Sequence, residues 1–304
     1  MNFEANSDQA TFFAVLDQMI QNSVRWKPAA EARFEWAAAL DEALDCNEFY
    51  NVACQDTLGS ASAAFMVYEL SRSPVVVECT ASAMLRPRLG IEIPRPLAVL
   101  SNEHSGAVRF LPLAETVVRI GGDGIFLSPI AEDERKAIPS LFAYPMGQLR
   151  IERNWSRVEV DPQQIADLWR VGIAAEIAGV LQGGFEAVLD HVKHRAQFGR
   201  ALGSFQAVQH RLAACATMIQ AARWLALKAA QTADSADAVI ATGYAQSIST
   251  KVIYDLHQFM GAMGLTLEHP LHRWTYRARL LRSELGGAEA NFDLVAERLW
   301  RTAA

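Results

Sequence analysis

Apolar residues recur at steps of three and four over most of this chain and crowd into short runs only in its middle. In the first ninety or so residues, "TFFAVLDQMIQNSV", "FEWAAALDEAL" and "DTLGSASAAFMVYELSRS" have helical spacing, with few β-branched residues before Val75–Val77. Ser73-Pro74 interrupts that run, and Pro74 is suited to open a further short helix. Residues 91–160 change character. Pro94, Pro96, Pro112, Pro129, Pro139 and Pro145 separate "LAVL", "AVRFLPL", "TVVRIGGDGIFLSPI" and "QLRIERNWSRVEV", which predict a few short strands. Within them "VVRIGGDGIFL" reads as two strands around a Gly-Gly-Asp-Gly turn. From residue 161 the helical pattern returns. Asp161-Pro162 supplies an N-cap and a proline at the first helical position, with Gln164 three residues after the cap. Ile165, Trp169, Ile173, Ile177, Leu181, Phe185, Val188 and Val192 then form one stripe that ends near Arg195. Gly199 and Gly203 bracket a break, and Ser204 is placed to cap the next helix. Further helices are predicted from about Asp237 to Met260 and from about Pro270 to Glu284, with a short last one carrying Phe292, Leu294, Val295 and Leu299. The expectation is a mostly α chain: an N-terminal helical domain (1–90), a small β domain (91–160) and a C-terminal helical bundle (161–304).

Composition narrows the class. The 304 residues are 51% hydrophobic and 20% charged, enough to bury a large core. A net charge of −6 argues against a general nucleic-acid binder. Cys46, Cys54, Cys79 and Cys215 have no metal-ligand spacing, so free thiols in a reducing cytoplasm and no metal are expected. No apolar run approaches the ~20 residues of a membrane span.

The chemistry gathers in "HVKHRAQFGRALGSFQAVQHRLA", residues 191–213, a charged elbow between two long helices. Arg195 and Arg200 add positive charge, and the N–H groups that open the second helix point the same way. Such a place suits a phosphate or pyrophosphate, with Phe198 able to pack on a flat ring. A solvated loop with two surface arginines is the plainer reading.

The wording of this stretch closely resembles the flavin-binding segment of the acyl-CoA dehydrogenase family. The resemblance runs over roughly residues 160–285 and includes the later block "DLHQFMGAMGLTLEHPLHR". The N-terminal helices are similar to the family's first domain as well. The resemblance implies N-terminal helices, a middle β domain (reduced here) and a C-terminal four-helix bundle. It implies FAD as cofactor and the α,β-dehydrogenation of an acyl-CoA substrate. By position, Arg195 would reach the FAD pyrophosphate, Gln197 and Phe198 the adenosine part, and Phe205 and Gln206 the same groove. Gln258 and Gly261 would hold the adenine end. In the family these residues serve the flavin of a neighbouring subunit.

The departures from the family pattern carry equal information. Neither a Thr-Glu-Pro-type loop nor a Trp/Tyr-Ile-Thr segment, the family's flavin walls, occurs in residues 91–160. The family's two positions for the catalytic base fall here on Leu285 and on Trp169, the latter followed by Arg170, the residue that would meet substrate. Glu284, one residue early, and Glu176, two helical turns past Trp169 on its apolar face, are the acids left as candidate bases. Half a flavin site without the other half is similar to the short subunits of heteromeric α2β2 acyl-CoA dehydrogenases of bacterial steroid side-chain breakdown. That implies a second, unlike subunit bringing the base and the flavin walls, a steroid side-chain CoA ester as substrate, and an electron-transfer flavoprotein as acceptor. Two other readings stay open. One is a self-sufficient homo-oligomeric dehydrogenase using Glu284 or Glu176. The other is a flavin-free scaffold. Trp224, Leu225, Phe259, Met260 and Met263 are the candidates for an apolar face covered by a partner.

Overall fold

The computed structural model describes residues 4–24, 32–101, 106–149 and 153–300, with the backbone alone at 299. The N-terminal layer is helical: α1 (Ser7–Ser23), α2 (Ala38–Cys46), α3 (Gly59–Arg72), α4 (Thr80–Met84) and α5 (Arg86–Leu89). Asn6 and Gln9 close a reciprocal capping box on α1. The Ser73-Pro74 step does end α3, but no helix starts there. Ser73 to Val75 bend without turning into helix, Val76 bridges Trp36, and the Arg277 guanidinium donates to the carbonyls of Ser73 (2.6 Å) and Val75 (3.2 Å). Those bonds hold the backbone open until Thr80.

The β region contributes β1 (Leu97–Ser101), β2 (Ala107–Arg109), β3 (Thr116–Gly121), β4 (Gly124–Pro129), β5 (Met146–Gln148) and β6 (Ser156–Val158). One sheet has the order β1-β3-β4-β6, parallel only between β1 and β3, and β2 pairs with β5 alone. The predicted turn joins β3 to β4 through Gly122-Asp123. The run "AVRFLPL" is strand only to Arg109. In "QLRIERNWSRVEV" the second strand is confined to Ser156–Val158, and 150–152 lie outside the described residues.

The bundle is built on α6 (Pro162–His194), a 33-residue helix capped by Asp161, whose side chain accepts from Gln163 N. Every residue of the predicted stripe is buried, yet so are nearly all positions from Val171 to Phe185 on every side. A helix apolar all round is a core helix: α3 covers one flank of α6, and the later helices cover the others. By length and composition α6 does reach that of a membrane span, with a mean hydropathy of 1.3, which corrects the sequence expectation. The same window is 83% buried inside the fold, as for the core helix of a globular domain. Small residues permit the approach of its neighbours. A Cβ at Gly179 would lie 2.3 Å from the Tyr68 carbonyl oxygen, and one at Gly183 would lie 2.3 Å from the Arg72 carbonyl oxygen.

A two-stranded hairpin, β7 (Ala196–Gln197) and β8 (Arg200–Ala201), separates α6 from α7 (Gln206–Thr232). The cap of α7 is Phe205, not Ser204. The Ser204 hydroxyl instead donates to Ala201 O at 2.7 Å, because a 3-10 turn over Leu202–Ser204 places it a residue too early. Next come α8 (Ser235–Met260), capped by Asp234, then α9 (Leu271–Leu281) and α10 (Gly287–Trp300). The fourth predicted helix stops at Leu281, before Glu284, and Leu285 turns left-handed at φ 56°.

Candidate functional site

The elbow projects from the bundle rather than folding into a pocket. Arg195 closes α6 as its C-cap, and Leu202 N donates to Arg195 O at 2.8 Å, pinning the base of the hairpin. Phe198 (φ 54°) and Gly199 (φ 80°) form its two-residue turn, both left-handed. Glycine adopts that conformation freely, but phenylalanine does so at a cost. Phe198 is also 87% exposed, so little packing of its ring offsets that cost. Beneath it, Phe205 meets Phe198 edge-on at 6.2 Å and carries the Arg200 guanidinium at 3.9 Å over its ring. Gln197 and Gln206 are exposed on the same elbow.

Gln258 and Gly261 lie at the same end of the bundle. Arg211 of α7 binds Asp255 of α8 and lies 4.7 Å over the Phe259 ring, which joins the two helices just below the turn at 261. Burial works against the Asp255 charge, but bonds from Lys251 and Arg211 outweigh it and hold the carboxyl below its ordinary range. Gln258 is exposed, and Gly261 has φ 65° with open space where a Cβ would stand. Of the proposed apolar face, Trp224 and Met263 are exposed and Leu225 and Phe259 partly buried. Met260 is core at 3% exposure and leaves that list.

The two candidate bases come together elsewhere, on a residue the sequence reading missed. Arg109 of β2 is buried in the seam where the β region, α4, α6 and the turn after α9 meet. Its Nη1 donates to Glu176 Oε1 at 2.9 Å and Oε2 at 3.0 Å, and its Nε lies 2.8 Å from Glu284 Oε1. Glu176 also accepts from Thr80 Oγ1 and Tyr144 Oη, each at 2.6 Å. Phe110, Tyr144 and Trp169 put their rings around the guanidinium at 5.1–5.6 Å. Burial opposes the Arg109 charge, but its two carboxylates outweigh this and strengthen its hold on the proton. Burial raises the Glu284 carboxyl, with Arg109 pulling against it, and drives the Tyr144 phenol well above its usual range. A strand arginine between Val108 and Phe110 and an acid on an apolar helix stripe are each anomalous alone. Together they are a signal for a buried pair.

Arg170, the candidate substrate contact, joins neither group. Its Nη1 donates to Asp167 at 3.1 Å on the flank of α6 nearest the start of α8, and Arg298 approaches the same carboxylate at 3.8 Å. Cys46 and Cys54 are exposed free thiols, and Cys79 and Cys215 are buried free thiols. Among the described residues no group of His, Cys, Asp and Glu is placed to hold a metal ion.

Comparison with known proteins meets this geometry from outside. Residues 163–300 match the family model for the C-terminal domain of acyl-CoA dehydrogenases. The short/branched chain specific acyl-CoA dehydrogenase of rat (Rattus norvegicus) mitochondria is 29% identical over 135 residues, which is 43% of this chain and 31% of the rat protein. The match therefore spans about a third of that relative's length. Similar folds extend further. A chain of the ChsE4-ChsE5 complex from Mycobacterium tuberculosis superposes with a TM-score of 0.80 at 18% identity, covering 100% of both chains. A variant of the Tcur3481-Tcur3483 steroid ACAD gives 0.76 at 21% identity and 99% coverage of each chain. Residues 163–300 thus match the acyl-CoA dehydrogenase C-terminal domain, and the chain as a whole has a fold similar to that of acyl-CoA dehydrogenases.

Proposed function

We propose that this chain is the flavin-supporting subunit of a heteromeric, FAD-dependent acyl-CoA dehydrogenase that acts on an acyl-CoA thioester and passes electrons to an electron-transfer flavoprotein. The observation that carries this reading is a division within the molecule. The elbow residues Arg195, Gln197, Phe198 and Gln206 are exposed, with a strained aromatic at the tip. The seam between the β region and the bundle, by contrast, is filled by Arg109, Glu176, Tyr144 and Trp169 bound to one another. One half of a site is presented outward and the inner half is closed.

The exposed half fits part of a dinucleotide. Arg195 and Arg200 bring charge, the first turn of the 27-residue α7 brings free N–H groups, and the Phe198 ring brings a stacking face. Gln258 and the open backbone at Gly261 extend the same end. The flavin supplies the hydride acceptor when bound, and the roles given to this chain are to hold, orient and close. The α-proton is assigned to a base on the partner, because both Glu176 oxygens are engaged by Arg109, with Thr80 and Tyr144 as further donors. Similarity to a chain of the two-protein ChsE4-ChsE5 complex and to the Tcur3481-Tcur3483 steroid ACAD supports an unlike partner and a steroid side-chain ester. A second reading, a self-sufficient enzyme, draws support from Glu284, whose raised carboxyl suits a base.

Flavin content after expression with and without a candidate partner tests the proposal. Yellow protein only from co-expression, as a dimer or tetramer by light scattering, is expected. Yellow protein from this chain alone would favour the second reading, and colourless protein in every case would leave a scaffold.

A further inference from the structure

A cavity of about 350 Å³ opens between α1, α3 and α7. Phe13 of α1, Phe65 of α3, and Trp224 and Leu227 of α7 give it apolar walls, and Arg223 of α7 lines it with them. Phe13 and Phe65 lie against each other with ring centroids 3.9 Å apart, so that wall is one continuous aromatic surface. From Gln206 to Arg223 the α7 helix rises about 25 Å, which sets the cavity well away from the elbow.

Arg223 is the unusual member. Its guanidinium lies 4.8 Å from the centroid of the Tyr68 ring, 5.2 Å from that of Trp224 and 5.5 Å from that of Phe65. Ring faces stabilise the cation, but they leave the N–H groups on the edge of the guanidinium without an acceptor. The Arg223 Nε is shielded from solvent and has no hydrogen-bond partner among the described residues. The acid beside it is committed elsewhere: Glu69, whose carboxyl feels the Arg223 charge, is bound by Arg72. Burial pushes the Tyr68 phenol up to about 12, so the phenol supplies no anion either. A buried donor left in this state is costly, and an acceptor brought into the cavity removes the cost.

We propose that this cavity binds an organic monocarboxylate with a flat hydrocarbon body, whose carboxylate takes the Arg223 N–H groups and whose body lies against the Phe13–Phe65 wall and Trp224. The volume falls within the ~300–1,000 Å³ of small-molecule sites, and apolar walls with one placed charge are the usual lining of such sites. Guanidinium and carboxylate match as a two-bond fork, and the aromatic surroundings keep water from competing for it. Glu4 lines the same cavity, so the second charge of a phosphate monoester would face a carboxylate. A neutral ligand of the same shape would leave the Arg223 donor unpaired. No residue of this site belongs to the elbow, and the proposal stands apart from the flavin reading.

The test is calorimetric titration of the purified chain at neutral pH with β-naphthoate, β-naphthylmethanol and β-naphthyl phosphate. The acid should bind at least about tenfold more tightly than the alcohol, the size of one charge-assisted contact, and more tightly than the phosphate. R223Q should bring acid and alcohol to within about twofold of each other, a loss of preference that a merely loosened pocket would not produce. F65L should weaken acid and alcohol alike and keep the preference between them. Circular dichroism checks that each variant is folded. No binding of β-naphthoate at millimolar concentration, equal affinity for acid and alcohol in the parent chain, a preference that survives in R223Q, or tighter binding of the phosphate would each overturn the site.

Discussion

Replacing Arg109 by Met removes the cation that the buried Glu176 and the partly buried Glu284 share, and leaves a side chain of similar length. Glu176 would keep its Thr80 and Tyr144 donors, while Glu284 would lose the partner 2.8 Å away. Breaking a buried pair from one side costs about 3–5 kcal/mol, a large share of the ~5–15 kcal/mol that holds a typical domain together. The loss should depend on pH with a definite sign. Burial already raises the Glu284 carboxyl, and without Arg109 pulling against it the carboxyl rises further, so the folded state binds a proton that the unfolded state has released. Stability then falls as pH rises from the unfolded carboxylate range through the raised value. A carboxylate that protonates in the fold recovers ~1.4 kcal/mol per pH unit on going down. Urea unfolding followed by circular dichroism at pH about 7.5 and about 5.5 should thus show the deficit shrinking by ~2 kcal/mol or more at the lower pH. Adding Glu176→Gln and Glu284→Gln to the Met variant should restore most of the lost stability if unpaired charge is the cause. A loss below ~1 kcal/mol at the higher pH, or an equal loss at both, would refute the account of the seam.

Arg195→Ala should weaken flavin retention in the assembled complex by roughly ten- to a hundredfold, the size of one charge-assisted contact of ~1.5–3 kcal/mol, as read from bound-flavin absorbance. Glu284→Gln and Glu176→Gln should each leave turnover of the folded complex within a few-fold, whereas loss of a true base would lower it ~10²–10⁴-fold. Gly179→Ala drives a methyl onto the Tyr68 carbonyl oxygen, 2.3 Å from the Cβ position, and should destabilise the chain by ~1–3 kcal/mol in thermal unfolding.

What was legible in the sequence was local. The stripe from Ile165 to Val192, the Asp161-Pro162 start and the Gly122-Asp123 turn each declare themselves within a few residues, by periodicity or by backbone chemistry. The elbow could be read from its wording because its polar groups face solvent and owe little to the rest of the fold. The seam could not. Arg109 meets Glu176 across 67 residues of chain, and nothing near either position names the other. The all-round burial of α6 was hidden for a related reason: the alanines and glycines that let neighbours approach weaken the contrast between its faces. Leu285 and Phe198 take left-handed backbone that their side chains do not advertise. The non-helical segment after Ser73 is held by a guanidinium 204 residues later in the chain.

The burial of α6 also has a consequence for how the protein is made. As it leaves the ribosome this segment is an apolar rod with no polar side of its own. The helix that lies in register with its glycines, α3, has been synthesised before it and can receive one flank at once. The other flanks wait for α7 and α8, which end only at Met260, several seconds later at roughly 5–20 residues per second. During that interval the nascent chain is a natural client for chaperones that bind apolar surface, and fragments ending between His194 and Met260 should aggregate where the full chain does not.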